Sequence, residues 1–142
     1  MNGNTELLNF IYQNSQMGIV SIKQLLDIAQ NAKFKMQLNA QYEEYKKINN
    51  TALKLLNENG CDEKGISAMD KMKTYLMVNM QTLTDKTCSH IAEMLIIGSN
   101  MGIVSATKNL KKYSNAKPDI ISLMNKLLEF EENNVQRLKA FL

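Results

Sequence analysis

The sequence predicts an all-α fold in which two copies of a helical hairpin pack into a four-helix bundle. Three observations favour this fold. Apolar and small residues recur at spacings of three and four along most of the 142-residue chain. Helix-breaking residues are few, with 1 Pro and 6 Gly, and a segment near the N-terminus recurs further along the chain. We therefore expect a single helical-bundle domain over residues 1–142.

The recurring segment is the clearest of these observations. Residues 15–21, SQMGIVS, return as residues 99–105, SNMGIVS, which is 84 residues later. Ten of the nineteen positions from 15 to 33 are identical to their counterparts, where unrelated sequences would share about one. A repeated unit that cannot bury its own apolar face packs against its copy. We assign one hairpin repeat to residues 4–58 and the other to residues 84–142.

The first hairpin is predicted to contain two long helices. The first helix runs from residue 5 to about residue 30, and a break near residues 31–33 separates it from a second helix that ends at about residue 57. Spacings of three and four place one set of residues on the inner face of the first helix: Leu8, Ile11, Ser15, Gly18, Ile22, Leu25 and Ala29. The corresponding set in the second helix is Leu38, Tyr42, Tyr45, Ile48, Ala52 and Leu55.

Residues 59–83 form a long, partly helical crossover between the hairpins. Ser67 and Asp70 have the spacing of a capping box, and an apolar stripe follows from Met69 to Leu83. About 17 helical residues rise about 25 Å, which is roughly the length of a hairpin. The second hairpin would then start at the far end and run antiparallel to the first. The alternative is one continuous helix over residues 67–113 that overhangs the bundle and contacts a partner chain.

The second hairpin repeats the design of the first. Its first helix is expected from about residue 84 to residue 113 and its second helix to open at Pro118, because proline is tolerated in the first turn. The inward residues of the first of these helices are Ile91, Leu95, Gly98, Gly102 and Ser105. Two hairpins joined by one crossover give the ferritin-like connection of a four-helix bundle.

Small residues in the repeat are predicted to be helix contacts. These are Ser15 and Gly18 in the first copy and Ser99 and Gly102 in the second. A glycine inside a helix costs about 1 kcal/mol relative to alanine, so two at equivalent positions need a reason. We expect the two small-residue faces to meet each other at mid-bundle. The alternative is that they leave space for a ligand.

Composition restricts the classes of partner. The net charge is only +3 and Arg137 is the single arginine, whereas readers of nucleic acid rely on arginine forks. The longest apolar run, residues 91–98, is too short for a membrane span, and the first residues lack the pattern of a signal peptide. Cys61 and Cys88 form no CxxC pair and are expected to be free thiols. We predict a cytoplasmic protein with no nucleic-acid and no membrane partner.

Metal chemistry is the specific question that such a bundle raises. A carboxylate-bridged metal pair takes one Glu from each of two helices and a Glu-x-x-His from each of the other two. The chain has one histidine, so two such motifs cannot form. A degenerate iron or manganese site would have to use Glu131, Glu44, His90 and Glu93. Glu131 stands out, because it continues an apolar seam at heptad spacing and would have to pair, bind metal or stay protonated.

A hydrogen bond between Glu131 and Tyr45 or Ser105 is the more ordinary explanation of an inward carboxyl. The sequence holds no triad-type neighbourhood and no glycine-rich phosphate loop, so no catalytic residues and no cofactor are predicted. We expect a non-catalytic structural or protein-interaction module. The helix after residue 84 is apolar nearly all round, which predicts a homodimer through this helix or the crossover, with any other protein partner unknown.

Four segments of the chain carry a family resemblance: residues 87–94 (TCSHIAEM), 97–103 (IGSNMGI), 16–19 (QMGI) and 130–139 (FEENNVQRLK). With these segments the chain resembles a group of small clostridial proteins with a ferritin-like bundle, and the likeness covers nearly the whole chain. A more distant likeness, to the ferritin-like superfamily, concerns topology and implies a fold without an activity. The Glu-x-x-His pair that carries metal chemistry in that superfamily is missing from this sequence.

Overall fold

The computed structural model describes residues 3–65 and 71–142, and all regular structure in this part of the chain is helical. The predicted all-α class is therefore confirmed. The helices are α1 (Asn4–Leu26), α2 (Ala32–Glu58), α3 (Lys71–Gln81), α4 (Cys88–Lys112) and α5 (Pro118–Leu138), with a 3₁₀ turn at Lys139–Phe141. Among the described residues, no helix is long and apolar enough to cross a membrane.

Side-chain caps explain where two of the long helices begin. The Asn31 side chain accepts a hydrogen bond from the Phe34 N–H at 3.0 Å, and Thr87 accepts one from the His90 N–H at 3.2 Å. Each cap satisfies a backbone donor that the first turn leaves without a partner. Helix α1 ends at Leu26, earlier than the spacing of apolar residues predicts, and a short turn leads to Asn31. Pro118 opens α5, as predicted.

A glycine in the left-handed region ends α2. Gly60 has φ 64°, the Cys61 N–H donates to the Leu56 carbonyl at 2.9 Å, and the Gly60 N–H donates to the Asn57 carbonyl at 3.2 Å. These two bonds satisfy carbonyls that have no partner within the helix. Glycine suits this position because a left-handed residue with a β-carbon is strained.

The crossover contains a separate helix. Helix α3 ends at Gln81 and α4 begins at Cys88, and residues 82–87 are not helical. The alternative of one continuous helix over residues 67–113 is therefore wrong. The predicted capping box at Ser67 and Asp70 lies outside the described residues. Helix α3 packs on α4, with Leu76 placed over Gly98.

Contacts at the two ends establish the helix directions. At one end, the Lys117 N–H donates to Asn4 Oδ1 at 2.9 Å and Lys117 Nζ donates to Asn59 Oδ1 at 2.6 Å. This brings together the starts of α1 and α5 and the end of α2. At the other end, the Phe34 and Phe141 rings are 5.0 Å apart. Helices α1 and α5 therefore run one way and α2 and α4 the other, the direction that the crossover length predicts.

The buried core is divided into two apolar clusters with polar residues between them. One cluster contains Met17, Leu38 and Leu95, and the other contains Ile11, Ile48 and Leu127 along with further apolar side chains. In α1, α4 and α5, buried polar residues lie between the members of the two clusters, and in α2 Gln41 and Asn49 lie on either side of the boundary between the clusters. We call these residues the polar layer: Asn14, Ser15, Gln41, Asn49, Ser99, Glu131 and Asn134.

Candidate functional site

The centre of the polar layer is the Glu131 carboxyl. Helix α5 carries Glu131 into the core with 3% of its surface exposed, because Met124 and Leu138, seven residues to either side, are buried on the same face. Tyr45 Oη donates a hydrogen bond to Glu131 Oε1, and Asn134 Nδ2 lies 3.5 Å from the same oxygen. The predicted pairing with Tyr45 is confirmed. Ser105, the other predicted partner, is exposed.

Burial controls the protonation of this pair. It raises the pKa of Glu131 from 4.5 to about 7, and hydrogen bonds from Tyr45, Ser99 and Asn134 oppose the shift. Burial, followed by the charge of Glu131, raises the pKa of Tyr45 well above 10. Removing a carboxylate from water disfavours its charged form, and no basic side chain among the described residues forms an ion pair with Glu131. The site is thus a carboxyl that changes protonation near neutral pH inside the core.

Each glycine of the recurring segment makes room for a side chain of another helix. A β-carbon on Gly18 would lie 2.7 Å from atoms of the Tyr45 ring. A β-carbon on Gly102 would lie 2.8 Å from Asn14 Nδ2 and 3.7 Å from Glu131 Oε2. Gly18 therefore admits the Tyr45 ring, whereas Gly102 admits the Asn14 amide and has Glu131 at ordinary van der Waals distance.

This geometry corrects the expectation that the small-residue faces meet each other. What approaches Gly18 is the Tyr45 ring, and what approaches Gly102 is an amide and a carboxylate. Ser15 is buried, donates to the Ile11 carbonyl at 2.7 Å and accepts from Asn49 Nδ2 at 3.1 Å. Ser99 is buried and lines the cavity beside Glu131, and its hydroxyl lowers the pKa of that carboxyl. The serines therefore belong to the polar layer.

The four predicted metal ligands are not brought together. Only Glu131 is buried: Glu44 lies half-buried 3.9 Å from Lys126 Nζ, His90 is half-buried in the first turn of α4, and Glu93 is exposed beside Tyr75. In the described part of the chain, no group of three or more His, Cys, Asp or Glu side chains could hold a metal ion. The carboxyl at the centre of the core thus has neutral partners, namely a phenol, a hydroxyl and an amide.

Sequence reasoning missed two members of the site, Gln41 and Asn14. Both are buried, with 3% of each residue exposed, and both line a cavity of about 30 Å³ next to Glu131. The spacing rule could have identified Gln41, since it lies between Leu38 and Tyr45 at intervals of three and four on the inward face of α2. Asn14 lies just before the recurring segment and has Gly98 as its counterpart, so the repeat gave no signal.

Comparison of the chain with family models, with curated proteins and with solved structures returns no match. The chemistry of the site therefore has to be read from its own residues. A buried carboxyl with a near-neutral pKa can accept hydrogen bonds in both protonation states and can exchange a proton at neutral pH.

Proposed function

We propose that the chain is a ferritin-like four-helix bundle made of a duplicated hairpin, related to the small clostridial proteins that it resembles. The recurring segment and the helix directions support this proposal. The neighbours of the two glycines also support it, because Gly18 lies next to Tyr45 and Gly102 next to Glu131, each in its own hairpin, at 2.7 Å and 3.7 Å from an added β-carbon. The half-buried free thiols Cys61 and Cys88 fit a reducing compartment, which supports a cytoplasmic location.

Burial adds support for the duplication. Seven buried positions of α2, from Phe34 to Ala52, each have a buried counterpart in α5 that lies 86 residues later. The pairs are Phe34 and Ile120, Leu38 and Met124, Gln41 and Leu127, Tyr45 and Glu131, Ile48 and Asn134, Asn49 and Val135, and Ala52 and Leu138. Tyr45 and Glu131 thus occupy equivalent positions in the two hairpins.

The function that the geometry supports best is that of a non-catalytic interaction module that forms a homodimer. The observation that carries this proposal is an apolar strip on the outer side of α4. Ile97 and Val104 lie two turns apart on this helix, with 39% and 55% of their surfaces exposed. Val78 of α3, the helix that packs on α4, is also exposed, at 51%. A second copy of the chain covering this strip would remove apolar surface from water.

Sedimentation velocity over a range of protein concentrations tests the dimer. We expect the wild-type chain to shift from monomer to dimer as its concentration rises, and the double variant Ile97→Lys/Val104→Lys to remain monomeric. Met36→Lys is the matched control, because Met36 is an apolar residue of α2 with 71% of its surface exposed. A wild-type chain that stays monomeric throughout, or a dimer that the double variant leaves intact, would contradict the proposal.

The second candidate function is a degenerate iron- or manganese-binding bundle. The observation that favours it is the buried Glu131 carboxyl, which has no ion-pair partner among the described residues. The positions of Glu44 and Glu93 away from the core weigh against it, because a metal needs several ligands at one point. Elemental analysis of protein purified without chelator tests this candidate. A metal-free preparation whose melting temperature does not rise with added iron, manganese or zinc would eliminate it.

A further inference from the structure

The cavity in the polar layer is small, partly polar and next to the central carboxyl. Its volume is about 30 Å³, and its polar lining comes from Asn14, Ser21, Gln41, Tyr45, Ser99 and Glu131. The Ser21 hydroxyl donates to the Met17 sulfur at 3.4 Å. Met72 and Leu76 of α3 close it on one side. On the same measure, one water needs about 10–15 Å³, whereas a cavity that admits benzene is about 150 Å³. The space therefore suits a species of the size of water.

Gln41 supplies an independent observation that points to a ligand. This residue lines the cavity with 3% of its surface exposed, and its Nε2 is buried without a hydrogen-bond partner among the described residues. A buried donor without an acceptor costs about 1–3 kcal/mol. The side chain is neither a surface amide nor part of the bonds that hold Glu131. Gln41 also borders a more open groove that Ala40 and Lys126 line, and the burial of its Nε2 favours the small cavity as the place of the donor.

The groups around the cavity define the chemistry of its ligand. Gln41 Nε2 presents N–H donors, and the partner of Asn14 Nδ2 is the weakly accepting Met72 sulfur at 3.9 Å. Glu131 Oε1 accepts from Tyr45 and Asn134, and the other carboxylate oxygen lies by Gly102. The ligand must therefore accept hydrogen bonds from amides and donate one to a carboxylate. A metal cation cannot accept a hydrogen bond, and an apolar gas can neither accept nor donate one.

We propose that this cavity is a binding site for one water molecule, which accepts a hydrogen bond from Gln41 Nε2 and donates one to the Glu131 carboxyl. Buried waters typically make about three hydrogen bonds to polar groups that are otherwise unsatisfied, and Asn14 Nδ2 supplies a third group here. The water completes the polar layer: it gives Gln41 an acceptor and Glu131 a further donor. The site therefore has a chemical role that does not depend on dimerisation or on metal.

A high-resolution crystal structure of the wild-type chain tests the site directly. We expect one density peak about 3 Å from Gln41 Nε2 and from a Glu131 oxygen. A dry cavity would overturn the proposal, as would a Gln41 side chain that has moved to bond a protein acceptor. A cation at this point, revealed by anomalous scattering after a rubidium soak, would overturn it as well.

Solution NMR tests the role of Gln41. In the wild-type chain we expect a nuclear Overhauser contact between the Gln41 side-chain amide and a long-lived water. In Gln41→Met, which keeps the length of the side chain and removes the donor, contacts from this water to the Tyr45 ring should be lost. The control Gln24→Met changes an exposed glutamine of α1 and should keep them. Retention of the water in Gln41→Met would overturn the assignment, and if that variant does not fold, the wild-type contact alone decides it.

Discussion

Gly18 and Gly102, the matching glycines of the two hairpins, make room for different kinds of side chain. In the first hairpin, Gly18 admits an aromatic ring, and that ring fills the space that the glycine opens. In the second hairpin, Gly102 admits the Glu131 carboxylate and the Asn14 amide, with a small cavity beside them. In both hairpins a side chain lies close to the glycine backbone, but the side chain is an aromatic ring in the first hairpin and polar in the second. If the hairpins are a duplication, as proposed above, the carboxyl of the polar centre and its hydrogen-bond donor come from equivalent positions of the two copies.

The largest predicted difference between the two positions is in pH dependence. The pKa of Glu131 is raised from 4.5 to about 7 in the folded chain, so between these values the native state holds a proton that the unfolded state has lost. The free energy of unfolding should therefore fall as pH rises, by about 1.4 kcal/mol per pH unit and roughly 3 kcal/mol over the window. Tyr45 contributes nothing here, since its pKa lies well above 10.

Urea unfolding of the wild-type chain and of Glu131→Gln at several pH values measures this effect. The difference in unfolding free energy between the two proteins should change across the window and level off above pH 7. A difference that is constant with pH would show that Glu131 is ionised in the native state throughout.

Replacing each glycine by alanine should cost more stability at Gly18, whose neighbour is the rigid Tyr45 ring, than at Gly102, whose neighbour is the flexible Asn14 side chain. Gly18→Ala would force a β-carbon against the Tyr45 ring, which packs edge-on against Phe130 at 4.8 Å, so we expect a loss of about 2 kcal/mol. Gly102→Ala meets the end of the Asn14 side chain, which can move. Its gain in helix propensity, about 1 kcal/mol, should offset most of the cost. Thermal unfolding of both variants measures the ranking, and equal losses or the reverse order would count against these contacts.

Tyr45→Phe should break the hydrogen bond across the two hairpins and keep the packing of the ring. We expect a loss of about 1–2 kcal/mol, because Glu131 loses a buried donor. The pKa of Glu131 should rise further, since the bond from Tyr45 lowers it. Tyr42→Phe is the control: Tyr42 is half-buried on the same helix, and its loss should stay below about 0.5 kcal/mol. If both variants lose the same stability, the bond to Glu131 has no special contribution.

The smallest difference concerns how the second helix of each hairpin begins. Asn31 caps α2 through its side chain, whereas Lys117 precedes α5 without such a bond and Pro118 fills the first turn. Asn31→Ala should cost about 1 kcal/mol. Lys117→Ala removes only an exposed contact with Asn59 and should cost less than about 0.5 kcal/mol. Chemical denaturation of the two variants compares them, and a larger loss for Lys117→Ala would be inconsistent with the caps described.

Spacing along the sequence could predict which residues face the core but not what they meet there. The heptad interval from Met124 through Glu131 to Leu138 correctly placed the carboxyl inside, and the same rule applied to α2 would have identified Gln41. The rule also explains why Glu44 fails as a ligand, because it precedes the inward Tyr45 by one residue and is rotated from it by about 100°.

The contacts of Gly18 and Gly102 were beyond the sequence for a different reason. The identity of the side chain that approaches a glycine depends on how the helices cross and rotate, which sequence spacing does not specify. The end of α1 was predicted too late because the break is set by Asn31 capping the next helix, a local hydrogen bond that competes with continuing the first.

The most direct test of this account is the titration of the Glu131 carboxyl itself. Carbon-detected NMR of glutamate-labelled protein, with the resonance assigned by its absence in Glu131→Gln, gives the midpoint. We expect a midpoint near 7, because burial outweighs the hydrogen bonds from Tyr45, Ser99 and Asn134. A midpoint near the ordinary value of 4.5 would mean that the carboxyl is solvated or paired with a cation, and the description of a buried, neutral-partner site between the two hairpins would be wrong.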